Sequence, residues 1–250
     1  MSNKINLERG FSTQEFEQRL IKAQDVMQQY KLDGVLLTTP QNIRYFTGYD
    51  SQFWESPTRP WFVIVPASGK PIGIVPEIGE SEFKKTWLDD IKTWPSPRPE
   101  DEGISIVKST LEHLTKIHGQ IGAEFGKEMA IRMPVKDLFK LKENLHTNIV
   151  DGSDAIWEMR MIKTNTEIER IKKICSIASD AYYDLPSKLN IGDTEREAVN
   201  KLKIDIINRG ADNVPFMPGI SGEGGVSQIV CGPSDRIIEK GDILLSLIHI

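Results

Sequence analysis

From about residue 12 to residue 150, short β-branched apolar runs alternate with amphipathic helical patterns. A chain with both periods buries them together by laying helices over a sheet, so the expected fold class is α/β. Ser12 and Glu15 read as a capping box. Phe16, Leu20, Ala23, Met27 and Tyr30 recur behind it at helical spacing, which predicts a helix over about 12–31. Asp33-Gly34 breaks that helix, and residues 35–39, closed by Pro40, read as a buried strand. Residues 61–65 and 71–75 flank Pro66-Ala-Ser-Gly69-Lys70, the pattern of a hairpin. Further strands are expected at 91–94, 121–125 and 148–150. Ile104, Val107, Leu111 and Leu114 mark one helix, and Val135, Leu138, Leu141 and Leu145 mark another begun at Pro134. One domain over residues 1–155 follows.

After residue 151 the texture changes. A short helix runs to about Met161, and Thr164 with Glu167 forms another capping box ahead of Ile168, Ile171, Cys175, Ala178 and Tyr182, up to a stop at Pro186. Asp193-Thr194-Glu195 opens the next helix, with Ala198, Leu202 and Ile206 on one face and Gly210 at its end. Beyond it lie a Gly-rich stretch over 219–225, a strand around 228–231, turns at 232–235 and 239–242, and a new strand at 243–245. Two helices and two short strands leave apolar faces with little to bury them, so the second domain, 156–250, is expected to be incomplete.

With 250 residues, a net charge of −5 and no block of five basic residues, the chain lacks the footprint of a nucleic-acid or anionic-membrane partner. Its apolar runs fall far short of the ~20 residues that span a bilayer. The polar N-terminus lacks a signal-peptide core, and two cysteines suit a reducing cytoplasm better than a disulfide framework. His113 and His118, five apart on the predicted third helix, share no face and read as surface histidines; His146 and His249 are isolated. Cys175 reads as a buried thiol. The Gly-rich stretch reads as a plain loop. No catalytic residue and no metal ligand is assigned.

One segment carries more. Between Tyr45 and Trp61, Pro57 and Pro60 stiffen a loop that holds Trp54, Glu55, Arg59 and Trp61. A rigid arginine among aromatic rings suits a carboxylate-bearing or cationic small ligand, or a subunit contact. The same rings equally suit sealing the rim of the first core. Trp54, Arg59 and Trp61 are the candidate substrate-binding residues.

The capped first helix, Asp33-Gly34-Val-Leu-Leu, and Pro40-Gln-Asn42-Ile43-Arg44-Tyr45-Phe46-Thr47-Gly48 resemble the N-terminal domain of the creatinase, prolidase and aminopeptidase P family. The resemblance continues through Arg160-Met-Ile-Lys163-Thr-Asn-Thr-Glu167, Gly192-Asp-Thr194-Glu195-Arg-Glu197 and Pro233-Ser-Asp235-Arg236-Ile-Ile-Glu239-Lys240-Gly241-Asp242. It implies a creatinase-type N-terminal domain, then the start of a pita-bread catalytic domain. It further implies a homodimeric hydrolase of short peptides or small molecules whose full-length members use two divalent ions (Mn, Co or Zn). Those ions are held by two Asp, one His and two Glu, and they activate a water. Leu247 stands where the first of these Asp residues is expected, so the chain as written is expected to bind no metal pair. Peptidase members also carry a His shortly before the Pro-Ser/Thr-Asp-Arg turn, where this chain has Gln228-Ile-Val-Cys231. The implied activities are therefore Xaa-Pro dipeptide hydrolysis, cleavage of another C–N bond as in creatinase or ectoine hydrolase, or a non-catalytic binding module.

Overall fold

The computed structural model describes residues 9–56, 59–114, 116–222 and 231–247, with Glu55 by its backbone alone. The chain divides into two compact units, Met1–Ile162 and Lys163–Ile250. Among the described residues no helix is long and apolar enough to cross a membrane.

The first unit is built on six strands: β1 (Gly34–Leu37), β2 (Phe62–Pro66), β3 (Ile72–Pro76), β4 (Asp90–Trp94), β5 (Gln120–Ala123) and β6 (Asn148–Asp151). Their spatial order is β4-β3-β2-β1-β5-β6, and β2 alone runs against its neighbours. Successive residues of a strand face opposite sides, so each strand feeds two cores. Val35 and Leu37 of β1 join Val63 and Val65 of β2 in one core, whereas Leu36 joins Phe62 and Ile64 in the other. The first core is covered by α1 (Thr13–Gln29), α2 (Pro40–Thr47), α3 (Glu77–Phe83) and α6 (Ser153–Met161). The second is covered by α4 (Ile104–His113) and α5 (Val135–Asn144).

Ser12 caps α1 by accepting from the Glu15 N–H at 3.2 Å, while the Glu15 carboxylate pairs with Arg19. Asp33 locks the start of β1 to the turn before β5, accepting from the backbone N–H groups of Ile117, His118 and Gly119. That turn corrects the expectation for the histidines: α4 ends at His113, and His118 lies beyond the helix. Two helices are additions to the sequence reading. Pro40 closes a strand and also opens α2, which ends at Gly48 in the left-handed region, φ 76°. With eight and seven residues, α2 and α3 are too short to show helical periodicity.

The second unit contains α7 (Asn165–Lys188), α8 (Glu195–Asn208) and the antiparallel pair β7 (Gly219–Ser221) and β8 (Leu244–Ser246). Thr164 with Glu167 and Thr194 with Glu197 form complete capping boxes. The core joins Ile177, Ala181 and Leu185 of α7 to Val199, Leu202 and Ile206 of α8, with Ala211, Val214 and Met217. Three expectations fail here. Pro186 lies inside α7, which runs on to Lys188: the proline removes the backbone bond its own N–H would have made, and the helix ends two residues later rather than at it. The buried stripe of α7 contains Ile177, Ala178, Ala181 and Leu185, so Ile168 and Ile171 are exposed. Cys175 is exposed as well. The strand expected around 228–231, the Gly-rich stretch beyond Gly222 and His249 lie outside the described residues.

Candidate functional site

Chain order makes a switch point in the first unit. The chain leaves β1 toward β2, β3 and β4 on one side and returns to β5 and β6 on the other. Open α/β sheets form crevices where neighbouring connections diverge at the carboxyl ends of strands. Thr38 follows β1 there, Glu124 follows β5, and Arg59–Trp61 lead into β2 at the same edge, where Leu37 pairs with Val63.

Glu124 is fully buried. Its carboxylate accepts from the Thr38 N–H at 2.6 Å, the Thr38 hydroxyl at 2.8 Å and the Thr39 N–H at 3.0 Å, and also from the Thr39 hydroxyl and the Asn42 amide. A buried carboxylate costs several kcal/mol unless so surrounded. The result is a rigid β1–α2 junction. Thr38 Oγ1 in turn accepts from the Arg132 N–H at 2.9 Å, and the Arg132 guanidinium donates to the Trp54 carbonyl.

These contacts wall a half-open cavity of about 250 Å³, lined by Thr38, Phe53, Trp54, Ser56, Arg59, Pro60 and Trp61 and by residues 131–134. Trp54, Arg59 and Trp61 all line it, so the fold brings the three sequence candidates together. They differ in burial. Trp61 is 3% exposed and belongs to the core, packed against Tyr49 (ring centroids 5.2 Å apart) and edge-on to Trp54 (5.6 Å). A Cβ on Gly79 of α3 would lie 2.0 Å from the Trp61 ring, so glycine is what lets α3 pass there. Trp54 is half-buried on a short 3₁₀ turn (Gln52–Glu55), its indole N–H donating to Asp50 at 3.0 Å.

Arg59 is half-buried and tethered. Its Nε donates to Ser96 Oγ at 3.0 Å, and the Ser96 hydroxyl donates to Glu102 at 3.2 Å. Burial pushes the Glu102 carboxyl up, but the Trp94 indole, the Arg98 N–H, the Ser96 hydroxyl and the Arg59 charge together hold it below the ordinary carboxylate range. Sequence reasoning missed Thr38, Ser96, Glu102, Glu124 and Arg132. Glu124, an acidic residue at the end of an apolar strand, was the one visible sign. Leu247, the position implied for a metal ligand, is an exposed apolar residue after β8.

Residues 19–162 match the family model described as the Creatinase/Prolidase N-terminal domain. The chain belongs to that family. Over 231 residues it is 28% identical to an Xaa-Pro dipeptidase of Pyrococcus furiosus, covering 92% of this chain and 59% of that protein. Among solved structures it resembles a prolidase of Thermococcus sibiricus (TM-score 0.79, 24% identity, 95% of this chain and 62% of that one). It also resembles the dipeptidase PepE of Mycobacterium ulcerans (TM-score 0.77, 23% identity, 96% and 61%). The fold is thus the α/β creatinase-type N-terminal domain followed by part of a pita-bread domain. The chain spans about three-fifths of the length of the relatives it matches.

Proposed function

We propose that this chain supplies the N-terminal domain and the leading part of the catalytic domain of a hydrolase of the Xaa-Pro dipeptidase type. The carrying observation is that the match to the Pyrococcus furiosus Xaa-Pro dipeptidase covers 92% of the chain and so includes both units. In this reading the protein is a cytoplasmic homodimer, and the cavity with Trp54, Arg59 and Trp61 touches the substrate. The described residues do not fit the family's metal pair. No group of three or more His, Cys, Asp and Glu among them could hold an ion, and Leu247 offers no donor. No step is therefore routed through metal. What these residues do is hold and orient: the arginines supply fixed N–H donors and the indoles a flat apolar wall, which lowers the entropy lost on reaching the reactive geometry.

The test joins residues 1–245 to the remaining C-terminal part of the Pyrococcus furiosus enzyme, adds Mn, and measures release of proline from an Xaa-Pro dipeptide. Release supports the reading, and Arg59→Ala in that chimera then raises KM with thermal stability nearly unchanged. A second reading, cleavage of a C–N bond in a small metabolite, is favoured by the absence of a histidine from Gln228–Cys231. Creatine hydrolysis without dipeptide hydrolysis would select it. A folded, metal-loaded chimera inactive on both substrates sinks both readings.

A further inference from the structure

Helix α5 carries an aromatic ring that its own fold does not use. Leu138 and Leu141 bury one side of α5 in the second core, while Val135 and Phe139, one turn apart, are each 58% exposed. Two neighbouring apolar side chains rimmed by charge mark a contact surface rather than a scattered surface residue. A shallow groove of about 500 Å³ opens beside the ring, lined by Lys136, Phe139, Lys140 and Glu143. The charges around it are not equivalent. Lys142 lies over the Phe125 ring at 5.5 Å, and Lys140 faces the charge of Asp101, so each already has a partner in its own chain. On α4, Lys108 and Glu112 close an ion pair at 2.7 Å, but Lys136 and Glu143 make none among the described residues. Lys136 precedes Phe139 by one turn and Glu143 follows it by one, all on one side of the helix.

That order is self-complementary. When a second α5 is laid antiparallel across the first about a twofold axis at Phe139, the two rings meet at the centre and the Lys136 of each copy faces the Glu143 of the other. Like charges stay apart, because the axis sends each residue before the ring to the position after it. We propose that this face of α5 is a docking surface for a second copy of the chain, closed by Phe139 and Val135 and held in register by the reciprocal Lys136–Glu143 pairs. A lipid surface or an acidic peptide fits less well, because Glu143 repels both, whereas α5 itself supplies both charges at the matching spacing. A helix of ten residues is ~15 Å long, so the contact falls short of the ~800 Å² per partner of a standard complex. The dimer is therefore transient, with a dissociation constant of about 10 µM to 1 mM. The proposal goes beyond the hydrolase reading and stands on α5 alone.

Sedimentation equilibrium of the 250-residue chain at about 5–500 µM tests this. The average mass is expected to rise from one chain toward two, and the association to weaken several-fold between about 50 and 500 mM salt, which screens the pairs. Phe139→Ser abolishes the rise. Lys136→Glu alone and Glu143→Lys alone each weaken it at least about tenfold, because each sets like charges face to face. An equimolar mixture of those two variants associates again, and so does the double variant, since both restore opposite charges across the axis. All three positions are exposed, so the urea midpoints stay in place. A chain that stays monomeric, association indifferent to Phe139→Ser, or single variants that fail to associate when mixed overturns the proposal. A monomer that cosediments with phosphatidylglycerol vesicles, and loses this with Lys136→Glu, overturns it in favour of an anionic membrane. Self-association with an inactive chimera sinks the hydrolase reading alone, and an active chimera with a chain that never associates sinks this one alone.

Discussion

The two units handle apolar surface differently. In the first, a six-stranded sheet is covered on both faces, and Leu36, Phe46, Phe62 and Trp94 are almost wholly removed from solvent. In the second, two helices and a two-stranded pair share one small core, while Ile171 (46% exposed), Ile204 (59%) and Tyr183 (86%) face outward. A sheet has two faces and needs two covers, which the first unit supplies from six helices. Helix propensity and capping boxes form α7 and α8, but they bury only one stripe of each. Stability is expected to follow burial rather than helix content.

The largest expected effect comes from that contrast. Phe62→Ala opens a cavity in a closed core and should cost about 3–5 kcal/mol in urea unfolding. Ile171→Ala, already nearly half exposed, should cost no more than about 0.5 kcal/mol. Equal losses at the two positions would break the comparison.

A smaller effect sharpens it, because both units bury a carboxylate in the same manner. Glu124 gathers Thr38, Thr39 and Asn42 in the first unit. In the second, Glu195 accepts from the backbone N–H and hydroxyl of both Ser221 and Ser234. Burial pushes the Glu195 carboxyl up, but the bonds from Ser234 and Ser221 outweigh it and hold the group below its ordinary value of 4.5. A carboxyl lowered on folding stabilises above its unfolded pKa, and that contribution fades as pH falls through the lower folded value. Glu195→Gln sets an amide N–H against existing donors and should cost about 1–3 kcal/mol at neutral pH. The gap between wild type and variant should narrow as the solution is acidified below the ordinary glutamate range. A gap that stays constant on acidification would show that the lowered pKa of Glu195 does not act on stability.

How much of this was legible in the sequence follows the same division. The strands of the first unit and its four longer helices stood out because two-sided burial writes continuous apolar runs and strong periodicity. α2 and α3 left no such trace, being shorter than the window in which a period shows. On α7 the apolar spacing pointed to Ile168, Ile171, Cys175, Ala178 and Tyr182; Ala178 is buried and Tyr182 packs on the core, but the first three are exposed, because the buried stripe lies further along, at 177–185. Spacing reports that a helix has an apolar face, not which part of it finds a partner. Of the cavity, the aromatic loop was visible as composition. Ser96, Glu102 and Arg132 were not, because they meet Arg59 and Thr38 only through long-range pairing of strands and loops.

The smallest expected effect in free energy has the clearest optical readout. Ile204 lies on α8, more than half exposed, and Ile171 is exposed on α7. Replacing a solvent-facing isoleucine by lysine loses little burial and trades a β-branched residue for a better helix former, so Ile204→Lys should shift stability by no more than about 0.5 kcal/mol. Exposed apolar surface binds hydrophobic dyes and promotes association, and both fall when a charge is set into it. The 250-residue chain is therefore expected to enhance dye fluorescence, and Ile204→Lys with Ile171→Lys to reduce that signal while leaving the urea midpoint in place. Substituting Val135→Lys and Phe139→Lys on α5 of the first unit, also exposed, separates the units. If those two changes remove the dye signal and the α7 and α8 changes do not, the apolar surface that matters belongs to the first unit, and the contrast between the units is reversed.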